Sequence, residues 1–483
     1  MARYLMGIDL GTSSVRAGIY REDGIRMSIA ARSYPIESPA PGISEQEPEL
    51  WWGGTCEAIR ESLAGAGLKG SEIAAVSFAG QMHGGVMLDA YDMPVGRAVI
   101  WADSRSSGEC GEIEDIIGPD TLRNEVMNRI FPGTFAATAH WMRKHDRRSW
   151  DRVRRLLLPK DYIRFRMCGL FNSEPSDASA TLLFDLSARD WSGNVLKKLQ
   201  IPIEYLPPVV NSDQPVGETE KMEESAGLPD GIPVVVGGAD QGAASLGNGI
   251  LDEGSMFVAV GTGGQIVTPL SNPRVSPGFS LNTFCHLPES RWYLMGATLS
   301  AGLSLRWYRD LFASGATFGE LDAEAARITP GSDGLVFAPF LAGRRSPVMD
   351  PSAGGGFSGI RLNHTRGHFV RAVLEGVAYD LRDCFEVIRG MGIRTETTII
   401  SGGGAKSGIW TRIIADVLNV SLAVSAVDEQ ACFGAALLAG IGVGMYGGYR
   451  EAASIAQKPV RTVEPVRENV ERYEEMYEKW RKR

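Results

Sequence analysis

The chain has 483 residues, of which 44% are hydrophobic and 22% are charged, and its formal net charge is −9. The length exceeds that of one typical domain, and the composition is that of an ordinary globular protein. The negative charge argues against non-specific binding to nucleic acid, which needs a basic surface. It still allows a phosphorylated ligand, because backbone N–H groups and Mg²⁺ can hold phosphates without many lysines.

The cysteines and the apolar stretches indicate a cytoplasmic protein with no membrane partner. Six cysteines are scattered without a C-x-x-C pair, which is typical of reduced thiols. A strand pattern begins at residue 3, so a secretory leader is not expected. The longest uncharged stretch near the C-terminus, 431–448, contains six glycines. We expect it to form a buried helix and a turn rather than a membrane span.

Strand-like apolar runs alternate with longer helical patterns along the chain, which predicts an α/β fold. The predicted strands, in chain order, are residues 3–8, 15–20, 73–79, 98–101, 155–158, 234–236, 256–260, 265–268, 292–295, 335–338 and 397–401. The principal predicted helices are 48–63, 368–389 and 407–418, the first of which has proline in its first turn, where it is tolerated. No low-complexity linker interrupts the chain. We place the boundary between two domains, 1–247 and 248–483, after Gly247.

Each half of the chain begins with a strand, a turn rich in glycine and hydroxyl residues, and a second strand. The turns are residues 9–14 and 261–264. Glycine lets a backbone approach a phosphate closely, and Thr12, Ser13 and Thr262 would add hydroxyl donors. A plain β-hairpin explains either turn alone equally well. The repeat favours a nucleotide held between two domains, because clefts between domains are preferred ligand sites.

A glycine cluster and one carboxylate extend this candidate phosphate site. Gly402, Gly403 and Gly404 follow a predicted strand and precede a predicted helix, which is a favourable place for a nucleotide. The cluster is not a P-loop, because Ala405 stands where that motif has glycine. Asp9 lies at the end of the first strand, where a carboxylate can hold Mg²⁺, usually through water.

A second carboxylate, Asp240, follows the buried strand 234–236 and has only small residues before it. A carboxylate in this position faces a cleft and could act as a general base toward a hydroxyl group. A helix N-cap is an equally good interpretation, and both roles can hold at once. Gln81 and His83 also follow a predicted strand and could bind sugar hydroxyls, although a lone histidine is more often structural.

Together these motifs resemble the FGGY family of carbohydrate kinases, and its xylulokinase branch most closely. The likeness extends over nearly the whole chain. The segments that carry it are 7–13, 44–48, 79–84, 158–162, 176–178 and 355–375. The resemblance implies an α/β fold of two actin-like, ribonuclease-H-type domains around a cleft for ATP and sugar. The first domain would hold the sugar and the base, and the second would hold the nucleotide.

The resemblance also implies a role for each matching position. Asp240 would be the catalytic base, and Asp9 would organise Mg²⁺ for catalysis. Met82 and His83 would contact the sugar, as would Gln241 beside the base. The contacts to ATP would come from Thr12, Ser13, Gly261, Thr262, Gly302, Gly403 and Gly404.

Four positions depart from the family pattern. Thr138 stands where the family has lysine, Ala102 and Gln241 where it has asparagine, and Arg344 where it has glutamate. Asparagine contacts specify the stereochemistry of sugar hydroxyls, so the acceptor sugar is less constrained by the sequence than the reaction type is.

The predicted reaction is transfer of the γ-phosphoryl group of MgATP to a ketopentose, with D-xylulose and xylulose 5-phosphate as the first choice. Ribulose, L-xylulose and erythritol are alternative acceptors. An actin-like ATPase is the rival from another class, since it would share both hairpins but needs no sugar-binding segment. The expected partners are sugar and ATP, and the oligomeric state, with a homodimer as one option, stays open.

Overall fold

The computed structural model describes residues 3–456 and 459–482. Its framework is a pair of seven-stranded sheets. The strands of the first sheet are β1 (Tyr4–Leu10), β2 (Ser14–Arg21), β3 (Arg26–Ser33), β4 (Ile73–Gly80), β5 (Pro215–Glu218), β6 (Pro233–Val235) and β7 (Gly238–Ala239). The strands of the second sheet are β8 (Ser255–Val260), β9 (Gly264–Leu270), β10 (Asn282–Cys285), β11 (Trp292–Thr298), β12 (Thr397–Ser401), β13 (Leu422–Val424) and β14 (Arg461–Val463).

The two sheets share one arrangement of strands. The first has the order β5-β6-β4-β1-β2-β3, with β7 beside β4, and the second has the order β10-β11-β9-β8-β12-β13-β14. In the first, the hairpin β1–β2 continues into antiparallel β3 on one side and parallel β4 on the other. The hairpin β8–β9 is flanked in the same way by antiparallel β11 and parallel β12. The predicted duplication of an α/β unit is therefore confirmed.

Helices cover both sheets. Those of seven or more residues in the described part are α1 (Pro48–Ala66), α2 (Cys110–Ile117), α3 (Phe135–His145), α4 (Pro159–Cys168), α5 (Gly193–Leu199), α6 (Asp240–Gly247), α7 (Gly302–Phe312), α8 (Phe318–Ala326), α9 (Arg366–Gly390), α10 (Gly408–Leu418), α11 (Gln430–Gly442), α12 (Tyr449–Ile455) and α13 (Arg467–Arg481). The three principal predicted helices correspond to α1, α9 and α10. The uncharged stretch near the C-terminus is the buried helix α11, as expected, and within the described ranges no helix has the length and apolar character of a membrane span.

Three predicted strands do not join either large sheet. They form the short strands Ala98–Val99, Arg155–Leu157 and Val336–Ala338, each of which pairs in a two-stranded sheet. Their partners are Glu45–Gln46, Val86–Leu88 and Gly356–Ser358. The edge strand β3 is not predicted by its sequence, because most of its residues are at least partly exposed and its apolar residues do not alternate regularly.

The two halves meet where α6 and α11 cross with their backbones almost in contact. A Cβ atom added to Gly434 would lie 1.8 Å from the carbonyl oxygen of Ala243, and one added to Gly247 would lie 2.2 Å from that of Gln430. Helix α11 also packs on β1, where a Cβ atom on Gly7 would lie 2.0 Å from the Cys432 carbonyl oxygen. Helix α11 therefore returns from the second half of the sequence to the first sheet.

Candidate active site

Asp9 and Asp240 lie at the same edge of the first sheet. Strand β1 is parallel to β4 and places Asp9 beside Ala79, and β7 is parallel to β4 and places Ala239 beside Gly80. Asp240 follows β7 directly and is the first residue of α6. Because the carboxyl ends of parallel strands meet at one edge, the two carboxylates are brought together although they are far apart in sequence.

Burial raises the pKa of both carboxyl groups. The pKa of Asp240 is raised to about 7, first by burial and then by the charge of Asp9, while the hydrogen bond from the Gln241 N–H, 2.7 Å long, opposes this rise. The pKa of Asp9 is raised to about 6 by burial, which the charge of Arg16 partly offsets and that of Glu429 reinforces. Oδ1 of Asp9 is buried and has no hydrogen-bond partner among the described residues.

A buried network holds the residue that precedes Asp240. The amide of Ala239 donates to Oγ of Ser176 over 2.9 Å, and that hydroxyl donates to the Glu174 carboxylate over 2.9 Å. Lys160, whose side chain is fully buried, has its Nζ 3.5 Å from the same carboxylate. These residues fix the backbone at the start of α6. They thereby determine the position of the Asp240 carboxylate.

His83 is buried in a neutral form beside this edge. Its Nδ1 lies 2.9 Å from the carbonyl oxygen of Ala180, which can only accept, so Nδ1 carries the proton and Nε2 is left as an acceptor. The ring packs edge-on against Phe131, with centroids 5.1 Å apart, and is tilted against Phe284 at 5.6 Å. Burial, with the nearby positive charge of Arg345, lowers the pKa of His83 to about 3.

Met82 precedes His83 in the sequence, and Gln241 follows Asp240. The two side chains have different surroundings. Met82 is buried, and its Sδ lies 3.7 Å from the hydroxyl of Tyr293, which belongs to the second sheet. Gln241 has a buried Oε1 with no hydrogen-bond partner in the described part of the chain. The predicted sugar-binding residues are therefore brought together where the two halves meet.

The first hairpin turn is held by a tryptophan. Nε1 of Trp101 donates to Oγ1 of Thr12 over 2.8 Å, and Nε2 of Gln46 donates to the Thr12 carbonyl oxygen over 2.7 Å. Ser13 is exposed at the tip of the turn. The turn is thereby fixed without using the Ser13 hydroxyl.

The second hairpin turn is locked onto the start of α7. The Gly302 amide donates to the carbonyl oxygen of Gly261 over 2.8 Å, and the Ala301 amide donates to that of Thr262 over 3.0 Å. A Cβ atom on Gly302 would lie 2.5 Å from the Gly261 oxygen, so only glycine fits there. Three of the predicted nucleotide-binding residues thus form one substructure.

The glycine cluster after β12 borders a cavity of about 490 Å³. The cavity is lined by Ser401, Gly402, Gly403, Ala405, Lys406, Val424, Ser425, Ala426, Val427, Asp428, Glu429, Val460 and Arg461. Gly403 faces open space, whereas Gly404 lies beneath, where a Cβ atom would be 2.4 Å from Cγ1 of Val260. Gly261, Thr262 and Gly302 do not line this cavity but adjoin it through Val260.

The positions that depart from the family pattern lie in different surroundings. Thr138 is buried in α3, Ala102 is exposed beside Trp101, and Arg344 is turned toward the Asp383 carboxylate, with which it forms an ion pair. The next residue, Arg345, is the one that approaches His83. The sequence gives no signal that separates these two adjacent arginines.

The duplicated α/β fold with a glycine-rich hairpin in each half fits both a two-domain sugar kinase and an actin-like ATPase, and the match to a protein family decides between them. Residues 4–247 match the N-terminal domain of the FGGY family of carbohydrate kinases, and residues 256–443 match its C-terminal domain. The chain therefore belongs to this family. Membership implies ATP as the co-substrate, and it removes the actin-like ATPase as an explanation of the two hairpins.

The chain is similar over nearly its full length to several xylulose kinases. It is 32% identical over 477 residues to a xylulose kinase from Bacillus subtilis, covering 99% of this chain and 95% of the relative. It is 34% identical over 495 residues to one from Lactococcus lactis, covering 99% and 96%. The crystal structure of xylulose kinase from Rhodospirillum rubrum superposes with a TM-score of 0.90 at 27% identity, covering 99% of this chain and 98% of that one.

Proposed function

We propose that this kinase transfers the γ-phosphoryl group of MgATP to O5 of D-xylulose. Full-length similarity to xylulose kinases supports the acceptor. The observation that carries the proposal is Asp240, a carboxylate at the start of a helix beside Asp9 and near the buried neutral His83. A pKa of about 7 suits a group that accepts a proton near neutral pH.

The two halves divide the work at the boundary 1–247 and 248–483. The first half supplies the base Asp240 and the sugar contacts Met82, His83 and Gln241. The second half supplies the nucleotide cavity beside Gly403. The two hairpin turns supply backbone N–H groups and hydroxyls to the phosphates, which suits anions that need many donors at close range. The residues for phosphate contact are Thr12, Ser13, Gly261 and Thr262, with Gly302 and Gly404 supporting the second-half loops.

In the proposed reaction Asp240 accepts a hydrogen bond from the acceptor hydroxyl and orients its oxygen toward the γ-phosphorus. As the new O–P bond forms, the bond from phosphorus to the bridging oxygen of ADP breaks, and the hydroxyl proton moves to Asp240. Phosphoryl transfer has a loose transition state, so positioning is the main task of the protein. Closure of the cleft would exclude water, the competing acceptor.

The residues at the sheet edge fit a bound Mg²⁺. Asp9 has an orphaned buried oxygen and a raised pKa, both of which a divalent cation would relieve. Within the described residues no group of three or more His, Cys, Asp or Glu could hold a metal alone. That is compatible with Mg²⁺, which is usually held by one or two carboxylates with phosphates and waters. When bound, the ion would offset the charge of the phosphates.

A coupled ADP-release assay tests the acceptor. The panel contains D-xylulose, L-xylulose, D-ribulose, L-ribulose, D-tagatose, erythritol and glycerol, each at the same concentration and with a sugar-free blank. We expect D-xylulose to give the highest kcat/KM and the blank to be near zero. A higher kcat/KM for another ketose or polyol would make that compound the acceptor instead of D-xylulose. No response to any pentulose would overturn the proposal.

A further inference from the structure

Arg345 reaches from the second half of the chain toward the predicted sugar-binding residues of the first. Its loop is anchored to the second sheet, since the next amide, that of Ser346, donates to the carbonyl oxygen of Ala297 over 3.1 Å. The guanidinium carbon of Arg345 lies 5.0 Å from the centroid of the Phe131 ring. That same ring makes a T-shaped contact with His83, with the ring centroids 5.1 Å apart. Arg345 and His83 therefore flank one aromatic side chain.

The guanidinium of Arg345 has no counter-charge in the described part of the chain. Nη2 is buried without a hydrogen-bond partner, and no carboxylate forms an ion pair with the group. Burial lowers its pKa to about 10, and no nearby acid opposes the change. A buried unpaired cation is costly, so its donors are suited to a ligand that brings acceptor atoms. Arg344, in contrast, is paired with Asp383.

The two groups beside Phe131 have opposite hydrogen-bonding characters. Nε2 of neutral His83 can only accept, because Nδ1 holds the proton for Ala180. The guanidinium of Arg345 can only donate. An adjacent acceptor and donor complement a hydroxyl group next to a carbonyl group, which is the α-hydroxyketone end of a ketose. A polyol offers the guanidinium only hydroxyl oxygens in place of the carbonyl acceptor.

We infer that Arg345 and His83 together recognise the α-hydroxyketone end of the acceptor, with Arg345 donating to the carbonyl oxygen and His83 accepting from the neighbouring hydroxyl. Arg345 is thus a specificity-determining residue supplied by the other domain. This inference rests on the proposed function and deepens it, because it names the residue that recognises the carbonyl group of the acceptor. It also makes acceptor recognition depend on the two halves being together.

The test measures KM for D-xylulose, KM for ATP and kcat in the full-length wild type and in Arg345→Met, Arg345→Lys and Arg344→Met. Loss of a hydrogen bond from a charged donor corresponds to roughly a 10- to 100-fold change. We therefore expect Arg345→Met to raise KM for D-xylulose by about that factor with KM for ATP unchanged. Arg345→Lys should have a KM for D-xylulose between those of the wild type and Arg345→Met. Arg344→Met should have the KM of the wild type. In a further variant, Arg345→Ala, a low concentration of guanidinium ion should partly reverse the rise in KM for D-xylulose.

Xylitol distinguishes carbonyl recognition from a structural role. Its dissociation constant, from inhibition or calorimetry, should change much less in Arg345→Met than the KM for D-xylulose does, and thermal melting confirms that each variant folds. If the wild type does not phosphorylate D-xylulose, the proposed function falls and takes this inference with it. If the wild type phosphorylates D-xylulose, two results would overturn the inference alone. One is an unchanged KM for D-xylulose in Arg345→Met, and the other is a rise in the dissociation constant of xylitol as large as the rise in that KM.

Discussion

The charge of Asp9 helps to raise the pKa of Asp240 to about 7, although the two residues reach their shared sheet edge from distant parts of the sequence. Two buried like charges disfavour each other's ionised form. The arrangement opposes folding above neutral pH, and under the proposed function it would bring the pKa of the base near neutral pH and favour a cation beside Asp9.

Replacement of Asp240 by asparagine removes the proton acceptor while retaining the side-chain shape. We expect kcat to fall by roughly 10²- to 10⁴-fold, the range for loss of a general base, with KM for ATP little changed. The ADP-release assay with D-xylulose measures both. Asp252→Asn, at a largely exposed carboxylate just beyond α6, is the matched control and should be near wild type. Near-normal turnover in Asp240→Asn would exclude the base role.

The same variant should be more stable than the wild type at alkaline pH. A carboxyl group whose pKa is raised from 3.8 to about 7 by folding keeps a proton that the unfolded chain loses, so the folded state loses stability as pH rises through this window. Asparagine carries no such penalty. In metal-free buffer at pH 8 we expect a gain in the free energy of unfolding on the order of 2 kcal/mol.

Denaturant unfolding measured from pH 8 down to pH 4 checks this expectation, and the gain should shrink toward the acid end. A gain that stays constant with pH would point to packing instead of charge, and no gain at pH 8 would contradict the raised pKa.

His83 should act through its neutral ring. His83→Phe preserves the contacts with Phe131 and Phe284 but removes the Nε2 acceptor. We expect KM for D-xylulose to rise by roughly 10- to 100-fold, as for an unmade hydrogen bond, with KM for ATP unchanged. Because the pKa of His83 is lowered to about 3, its nitrogen chemical shifts should not change between pH 8 and pH 5. A titration in that range would show that the ring is not buried as a neutral group.

Gly403 and Gly408 form a matched pair for testing the nucleotide cavity. A Cβ atom meets nothing within 4 Å at either position, so alanine fits both in the free protein. Of these two glycines, Gly403 lines the cavity and Gly408 does not. We expect Gly403→Ala to raise KM for ATP at least about 10-fold, since an added methyl would crowd the nucleotide, and to leave KM for the sugar unchanged. Gly408→Ala should behave as wild type, and equal effects of the two would remove the cavity as the nucleotide site.

The parts of the site that could be predicted from the sequence are those formed by residues close together in the chain. The turns around Thr12 and Thr262 are local patterns of glycine and hydroxyl residues between apolar strands, and Asp240 follows a buried strand directly. Their assembly depends on which strands pair, and the parallel pairing of β1, β4 and β7 leaves no local signature. The bond from Trp101 to Thr12 and the approach of Arg345 to Phe131 join distant loops, so their place could not be read from neighbouring residues.

Two glycines inside helices should respond in opposite directions to alanine. Gly434 in α11 lies so close to α6 that a Cβ atom would be 1.8 Å from the Ala243 carbonyl oxygen, and the backbones would have to move apart. Overpacking of this kind costs about 1 to 3 kcal/mol or more. Gly53 in α1 is exposed and meets nothing within 4 Å, so alanine there should stabilise the helix by about 0.5 to 1 kcal/mol.

Thermal melting and denaturant unfolding of Gly434→Ala and Gly53→Ala measure this difference. Because α6 begins at Asp240, the displacement in Gly434→Ala should also lower kcat for D-xylulose, whereas Gly53→Ala should keep full activity. A Gly434→Ala variant as stable and active as the wild type would show that the two helices are not in backbone contact in solution. Loss of activity with unchanged stability would instead show that the crossing of α6 and α11 sets the position of the base rather than the strength of the fold.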